Sequence, residues 1–355
     1  MRIHQLLGSL EFADAVATYA LTVQRLLRDL GHESEIFVAG CDPRVAELCR
    51  PLADLPEDDS VVTIYHHTFW SEPTLQKLRR LRGRRALIYH NVTPDHFFAG
   101  WDEELGDFAR RAREELGELR GIVDVAIAGA PFNRHELADL GFEDVAVLPM
   151  PVALDRLSST APDAPTLEKL ADGAVNFLFV GRLVPSKRQE DVIRVFAWYH
   201  RFIHRPSRLV LVGSAPELDV YRRSLDQVAR DNEVDEHVVF TGKISDAELV
   251  ACYRAAHVFV CMSEHEGFCA PLVECMLYDV PVLARAMGAV PETLGAAGVL
   301  VHERNIPAIA ETAHALISDR ELRARVIAAQ RERLAAFSPE HFTEALARVV
   351  ARLSP

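Results

Sequence analysis

The chain has 355 residues, of which 49% are apolar and 26% charged, with a formal net charge of -13. This length exceeds what one hydrophobic core usually holds, so two domains are expected. The acidic balance argues against general nucleic-acid binding. The chain has no apolar run of about 18 residues and begins without a signal-peptide pattern, so we expect a cytoplasmic protein without a transmembrane helix.

The six cysteines form no Cys-x-x-Cys pair, and several lie within apolar runs. Buried free thiols are therefore expected rather than a zinc site. Free thiols are also typical of a reducing cytoplasm.

Short apolar runs alternate with stretches of helical periodicity along the amino-terminal half. We predict a loop from Gly8 to Asp14, with Asp14 as the N-cap of the first helix and Gly31 just after its end. The predicted strands lie at 1–7, 35–40, 61–66, 85–90, 123–128 and 145–148, and the predicted helices at 15–30 and 102–119. This alternation predicts an α/β fold with a parallel sheet.

The same pattern restarts in the second half, after a proline-rich passage at 148–165 that we interpret as an interdomain connection. The predicted strands lie at 176–180, 208–212, 238–240, 258–262, 281–284 and 298–301, and the last predicted helix at 339–353. The predicted domains are 1–155 and 156–336, followed by a final helical segment, 337–355. Two doubly wound domains of this kind can face a cleft that binds a ligand.

Several catalytic fingerprints are absent from the sequence. It has no GxGxxG or GxxxxGK[ST], which weakens the dinucleotide and P-loop interpretations. It has no GxSxG hydrolase elbow. Neither DxD nor HExxH occurs, so no metal-ligand set is indicated and no metal cofactor is expected.

Two segments after predicted strands carry chemistry. In the first, Gly181 is followed by Arg182 and Lys187, which can neutralise a diphosphate without a metal or can be two solvated loop cations. In the second, Glu266 and Glu274 lie eight positions apart across a strand-to-helix turn. The N–H groups at a helix N-terminus favour an anion, and carboxylates can bind hydroxyls.

These segments occur in one order with Leu211-Val212-Gly213, Phe240-Thr241-Gly242 and Gly288-Ala289-Val290-Pro291-Glu292. The ordered set, with seven residues between the two glutamates, resembles the retaining GT-B glycosyltransferases of the group 1 (family 4-like) family, which includes sucrose synthase-like enzymes. The resemblance implies two Rossmann-like domains facing an interdomain cleft, with a C-terminal crossover helix that packs back on the N-terminal domain.

The resemblance also implies roles for individual residues. Glu266 and His90 match the residues near the donor sugar, Arg182 and Lys187 the cations on the diphosphate, and Glu274 the ligand of the ribose. The other implied donor contacts are Gly181, Gly213, Ile244, Gly267, Phe268, Cys269 and Ala270. Many relatives carry glycine at the position of Cys269, and a Gly-Gly pair where this chain has only Gly8.

The implied reaction moves a hexose from a nucleotide diphosphate sugar, UDP-sugar favoured over GDP-sugar, to an acceptor hydroxyl with retention and without a metal. Alternatives are a GT-B-type sugar phosphorylase, a nucleotide-sugar epimerase, a non-catalytic nucleotide binder and a nicotinamide oxidoreductase.

We expect the acceptor, a small molecule, glycan or lipid-linked sugar, to bind in loops that follow the strands of the N-terminal domain. The candidate residues are Gly8, Ser9, His66, His67, Phe69, Trp70 and Asn91, although a mixed surface loop explains them equally well. From Lys77 to Arg85 the chain has six basic residues and no acidic one, interleaved with Leu75, Leu78 and Leu81. This segment predicts either a peripheral contact with an anionic membrane or a solvated run of charges.

Overall fold

The computed structural model describes residues 1–12, 14–215 and 218–353. The chain folds into two units, the first formed by Met1–Pro151 together with Pro339–Pro355 and the second by Val152–Ser338. Among the described residues, no helix is both long and apolar enough to cross a membrane.

The first unit is built on a seven-stranded parallel sheet with the order β3-β2-β1-β4-β5-β6-β7. Its strands are β1 (Arg2–Leu10), β2 (Ile36–Cys41), β3 (Arg50–Pro51), β4 (Val61–His67), β5 (Arg85–Tyr89), β6 (Val125–Ala128) and β7 (Ala146–Val147). The helices between them are α1 (Ala15–Asp29), α2 (Glu72–Arg80), α3 (Glu103–Leu119) and α4 (Pro131–Asp139). The strand order reverses between β1 and β4, and the carboxyl ends of strands at such a reversal are where open α/β sheets bind ligands.

Helix α1 begins at the predicted N-cap, Asp14. The side chain of Asp14 accepts hydrogen bonds from the backbone N–H groups of Val16, at 2.8 Å, and Ala17, at 3.2 Å. The helix ends just before Gly31, whose φ of +83° suits glycine. The predicted N-cap is confirmed.

The predicted loop at Gly8–Asp14 begins too early. Gly8 and Ser9 belong to β1, which continues to Leu10 because Ser9 pairs with Gly40 and Leu10 with Cys41 of β2. Ala13 lies outside the described residues.

The second unit has a six-stranded parallel sheet with the order β10-β9-β8-β11-β12-β13. Its strands are β8 (Val175–Val180), β9 (Ser207–Val212), β10 (Val238–Gly242), β11 (Val258–Cys261), β12 (Val282–Arg285) and β13 (Val299–Val301). Its helices are α5 (Leu154–Ser159), α6 (Ala164–Leu170), α7 (Gln189–Phe202), α8 (Asp219–Asp231), α9 (Asp246–Ala255), α10 (Ala270–Leu277), α11 (Val290–Leu294), α12 (Ile306–Ser318) and α13 (Arg320–Leu334). Here the order reverses between β8 and β11.

The proline-rich passage contains the division between the two units, after Pro151, and much of it is helical. The helices α5 and α6 occupy most of 154–170, and Pro165 lies in the first turn of α6, where a missing N–H is tolerated. Asp163 caps that helix by accepting a hydrogen bond from the backbone N–H of Thr166 at 2.9 Å. The prolines thus mark a helix start.

The last helix, α14 (Pro339–Leu353), has the predicted bounds. Its apolar face, with Phe342, Leu346 and Leu353 buried, joins the core cluster of the first unit, which also contains Ile3 and Ile64.

Candidate functional site

The predicted donor segments meet at the carboxyl edge of the second sheet. Gly181 follows β8, Gly213 follows β9, and the loop carrying Glu266 follows β11. Because β9, β8 and β11 are neighbours in the sheet, the three turns lie side by side at the reversal of strand order.

Glycine at position 213 allows two of these turns to pack backbone to backbone. Gly213 has a φ of +138°, and a Cβ atom there would lie 2.0 Å from the carbonyl oxygen of Gly181. The N–H of Gly181 donates to the carbonyl of Val212 at 2.9 Å, and that of Gly213 to the carbonyl of Gly242 at 3.1 Å. The sheet edge therefore presents backbone to a ligand here.

Lys187 and Glu266 form an ion pair across the reversal point. The pairing is set by the backbone, since the N–H of Glu264 donates to the carbonyl of Ser186 at 2.8 Å. Ser263 Oγ donates to Glu266 Oε1 at 2.8 Å. Burial lowers the pKa of Lys187, but the attraction of Glu266 outweighs it and the pKa is raised, so the ammonium stays charged at neutral pH.

Gly288 packs against the backbone of the loop that carries Glu266. The N–H of Ala289 donates to the carbonyl of Glu266 at 2.9 Å. Gly288 has a φ of +56°, and a Cβ atom there would lie 2.6 Å from the same carbonyl oxygen. The 288–292 motif thus holds Glu266 in place.

The two predicted diphosphate cations differ in their surroundings. Lys187 is engaged with Glu266, whereas Arg182 is exposed and pairs with no carboxylate among the residues that the structure describes. Its backbone is fixed, because Gln189 Nε2 donates to the carbonyl of Arg182 at 2.8 Å. Arg182 is therefore the cation that is available to an incoming anion.

The turn after Glu266 leads directly into α10. Cys269 is the N-cap and has the left-handed conformation, with a φ of +67°, and Pro271 lies in the first turn. Phe268 is buried, and its carbonyl accepts a hydrogen bond from Thr293 Oγ1 at 2.6 Å. The helix N-terminus beside Gly267 and Ala270 offers N–H groups that an α-helix leaves without internal partners.

Glu274 lies on α10 and is oriented by a tyrosine. The hydroxyl of Tyr253 donates to Glu274 Oε2 at 2.5 Å, and its ring stacks on Tyr278 with centroids 5.4 Å apart. Burial raises the pKa of Glu274, and the bond from Tyr253 opposes that shift. Ile244 packs against a hydrophobic cluster of the second unit that also contains Tyr253.

His90 ends a chain of hydrogen bonds in the first unit. Gln5 Nε2 donates to the carbonyl of Ala20 at 3.0 Å, which leaves Gln5 Oε1 to accept from His66 Nε2 at 2.8 Å. His66 Nδ1 is then an acceptor, so His90 Nε2, 2.9 Å away, is the donor. Neutral His90 therefore presents an unprotonated Nδ1.

His66 and His90 are both neutral at pH 7. Burial lowers the pKa of His66 to about 3. Burial, followed by repulsion from His66 and His67, holds the pKa of His90 well below its ordinary value. Tyr19 packs edge-on against both rings, with centroid distances of 5.7 Å to His66 and 4.9 Å to His90.

The prediction that His67 lies in a loop is wrong, and His66 belongs to the predicted strand rather than to a loop after it. Both belong to β4, which pairs with β5 as far as His67, and they are 1% and 0% exposed. Because successive strand residues point to opposite faces, His67 lies away from the His66–His90 pair, beside the rings of Tyr65 and Tyr89. Their burial makes His66 a support for His90 and His67 a core residue.

The other predicted acceptor residues are dispersed. Gly8 and Ser9 are half-buried at the end of β1, and a Cβ atom on Gly8 would lie 3.3 Å from the ring of exposed Phe69. Trp70 packs under the guanidinium of Arg111, 4.9 Å from the ring centroid. Asn91 Nδ2 donates to Glu136 Oε2 at 2.7 Å, so this side chain is engaged internally.

The predicted basic segment is partly built into the first unit. Leu75, Leu78 and Leu81 are buried, and Lys77, on α2, pairs with Glu57 at 2.8 Å. The leucines therefore anchor the segment to the protein, and the membrane contact stays a prediction that depends on the exposed arginines.

A cavity of about 880 Å³ lies between α2 and the carboxyl end of β2 in the first unit. Its lining includes Arg50, Lys77 and Arg80, with Glu57 as the acidic partner. No sequence pattern indicates this cavity, because its residues come from four separate segments.

Three residues that were not predicted from the sequence position predicted site residues. Gln5 fixes the His66–His90 chain, Ser263 fixes Glu266, and Tyr253 fixes Glu274. The polar Gln5, next to the apolar pair Leu6-Leu7 in the predicted strand, was an available signal, because buried polar side chains need partners.

The two doubly wound parallel sheets, with glycine turns at the carboxyl edge of the second, have the GT-B fold. Anabaena Alr3699/HepE, solved in complex with UDP-glucose, matches over 99% of this chain and 100% of its own, with a TM-score of 0.77 and 16% identity. Residues 168–333 match the family model of glycosyl transferases group 1.

Two curated relatives are similar to part of this chain. The GDP-mannose-dependent alpha-(1-6)-phosphatidylinositol monomannoside mannosyltransferase of Mycobacterium tuberculosis is 32% identical over 43% of this chain and 41% of its own length. The D-inositol 3-phosphate glycosyltransferase of Corynebacterium glutamicum is 32% identical over 42% of this chain and 36% of its own length. The matched segments thus span less than half the length of either relative.

Proposed function

We propose that this protein transfers a hexose from a nucleotide diphosphate sugar to an acceptor hydroxyl, with retention of the anomeric configuration and without a metal ion. The observation that carries the proposal is the Lys187–Glu266 pair, which lies at the strand reversal of the second sheet beside the helix that bears Glu274. Cations, carboxylates and helix N–H groups are what a diphosphate linked to two sugars requires.

Charge on the leaving diphosphate is stabilised by Arg182, Lys187 and the first-turn N–H groups of α10. Glu274 accepts hydrogen bonds from the ribose hydroxyls, since Tyr253 occupies only its Oε2 atom. Glu266, fixed by Ser263 and Lys187, accepts from a sugar hydroxyl and acts as a ligand of the sugar rather than a nucleophile. In the first unit, we assign His90 Nδ1 as an acceptor for a substrate hydroxyl.

The nucleobase of the donor sugar can be identified by comparing the binding of different nucleotides. The family's common usage favours UDP. The mycobacterial relative is named for GDP-mannose, whereas HepE was solved with UDP-glucose. Isothermal titration with UDP, GDP and ADP, followed by their sugars, identifies the base.

The acceptor is proposed to carry an anionic group that binds in the cavity lined by Arg50, Lys77 and Arg80. Two of these cations are arginines with exposed side chains, which suit phosphate. The names of both curated relatives contain a phosphate-bearing inositol compound. A cytoplasmic location and a membrane contact through 77–85 remain predictions.

Turnover of the preferred nucleotide sugar tests the proposal. We expect Arg182→Ala and Lys187→Ala each to lower kcat/KM by roughly 100-fold, as for the loss of a donor that stabilises the transition state. Arg230→Ala, on the exposed face of α8, is the matched control, and its turnover should be unchanged. Unchanged turnover in both site variants would refute the assignment.

The alternatives give different products. A phosphorylase would break down a disaccharide only when phosphate is present, and an epimerase would convert the nucleotide sugar without any acceptor. Nuclear magnetic resonance of the product reports the anomeric configuration, and an inverted product would contradict the proposed retention.

A further inference from the structure

Two thiols converge on the Glu266 carboxylate. Cys261 ends β11, Cys269 caps α10, and one ligand atom from each of these three residues lies within 4.8 Å of the other two. The edges of a tetrahedral zinc site with Zn–S bonds of about 2.3 Å are about 3.8 Å long, so small side-chain rotations bring the atoms into place.

The chain keeps a thiol where its backbone favours glycine. Cys269 has a φ of +67° and a ψ of +68°, a left-handed conformation that costs a non-glycine residue about 1–2 kcal/mol. A glycine would adopt it without that cost. The side chain of Cys269 therefore has a use that offsets the strain.

The surrounding residues fit a cation. Ser263 Oγ lies 3.3 Å from Cys261 Sγ and donates to Glu266 Oε1, so one hydroxyl orients two of the three groups. Lys187 pairs with the other carboxylate oxygen of Glu266. Two thiolates, one carboxylate, Zn²⁺ and the Lys187 ammonium together have no net charge.

We propose that Cys261, Glu266 and Cys269 form a zinc site that inhibits the enzyme. Binding is an exchange without redox chemistry, in which Zn²⁺ displaces one proton from each thiol and two protons go to solvent. Three protein ligands leave a fourth position for water. A bound ion withdraws Glu266 from the donor sugar, and this consequence, unlike the binding itself, rests on the proposed function.

A second pair of thiols must be removed before the test. Cys49 and the exposed Cys41 line the same cavity of the first unit, and that pair can also bind a soft metal. The reference protein is therefore the full chain with Cys41→Ser and Cys49→Ser. Cys252→Ala in that background is the matched control, because Cys252 is a buried thiol of the same unit outside the three-residue cluster.

Zinc competition against a chromogenic chelator, under reducing conditions, measures the site. We expect one Zn²⁺ per reference chain with a Kd below about 1 µM. Binding should weaken at least about 100-fold in Cys269→Gly, which suits the left-handed backbone, and in Cys261→Ser. Co²⁺ should give a thiolate charge-transfer band that Cys269→Gly abolishes. Circular dichroism establishes that each variant is folded.

The outcomes separate the two proposals. No zinc binding, or equal binding in folded Cys269→Gly, overturns the zinc site. Zinc binding together with no binding of any nucleotide supports the site and overturns the proposed function. If nucleotides bind, we expect zinc to raise the KM for the nucleotide sugar in the reference protein and in Cys252→Ala, but not in Cys269→Gly.

Discussion

Nε2 of His90 lies 2.9 Å from Nδ1 of His66, and the rings stack with an interplanar angle of 13°. With Gln5 Oε1 accepting from His66, both histidines carry their proton on Nε2. We predict this tautomer for both in nitrogen-15 spectra at pH 7. An Nδ1–H signal from His90 would contradict the assigned chain of hydrogen bonds.

Gln5→Leu should destabilise the fold by about 1–3 kcal/mol, because it leaves His66 Nε2–H unpaired.

Because His66 and His67 are buried, we expect the folded protein to lose stability in mild acid. The pKa falls from an ordinary 6.5 to about 3 in His66 and about 4 in His67. Between pH 6.5 and 4 the unfolded chain binds protons that the folded chain excludes, so stability decreases as the pH falls. Each such histidine contributes about 1.4 kcal/mol per pH unit. In urea titrations from pH 6.5 to 5, His67→Phe should reduce the slope by that amount. An unchanged slope would show that His67 is protonated in the fold.

For Glu115 we expect the opposite dependence of folding stability on pH. Burial raises its pKa to about 7, and Tyr65 donates to its Oε1 at 2.8 Å. The folded state holds a proton that the unfolded state loses above its ordinary 4.5, so stability falls as the pH rises from 4.5 to 7. Glu115→Gln keeps an acceptor for Tyr65 without a charge. We expect it to be more stable than the parent at pH 8, by roughly 1–3 kcal/mol, and indistinguishable from it at pH 4.5. Equal stability at both values would refute this.

Gly288 predicts a steric effect on the Glu266 loop. Alanine at 288 places Cβ 2.6 Å from the Glu266 carbonyl oxygen, and the backbone must move. Gly100→Ala is the control, because Gly100 has a φ of +76° and a Cβ atom there meets nothing within 4 Å. Both variants have backbone strain, but Gly288→Ala should lose about 1–3 kcal/mol more stability. It should also weaken nucleotide-sugar turnover, whereas Gly100→Ala should not.

The Lys187–Glu266 pair predicts a thermodynamic coupling. Their side chains are 23% and 6% exposed, so removing one partner leaves the other charge largely buried. Lys187→Met and Glu266→Gln should each cost about 2–4 kcal/mol, and the double variant should cost less than their sum. Additive costs in chemical denaturation would show that the two charges do not interact. Nucleotide binding should be weak in all three variants.

Much of the second unit could be predicted from sequence because its signals are local. Buried strand runs ending in Gly181 and Gly213 mark the ligand edge without any knowledge of pairing. The same holds for α14 of the first unit, whose bounds followed from helical periodicity. The order of the motifs then placed Lys187 and Glu266 in one site, which the structure joins as an ion pair.

The remaining features depend on partners distant in the chain. Gly8 and Ser9 resemble loop residues, and only pairing with β2 makes them strand. The burial of His66 could not be predicted, because it pairs with Leu7 of β1 and Ile88 of β5, which are distant in the chain. The metal-ligand arrangement of Cys261 and Cys269 has no sequence signature, since a strand end and a helix cap create it.

The position of α14 also determines when the first unit can mature. Phe342 packs edge-on against Tyr19, with centroids 5.9 Å apart, and Tyr19 in turn contacts His90. During synthesis these contacts must wait until the whole second unit has left the ribosome, because Val152–Ser338 precedes α14 in the chain. The nascent first unit therefore keeps an uncovered apolar face through most of translation, a period in which it depends on chaperones or on rapid completion of the chain.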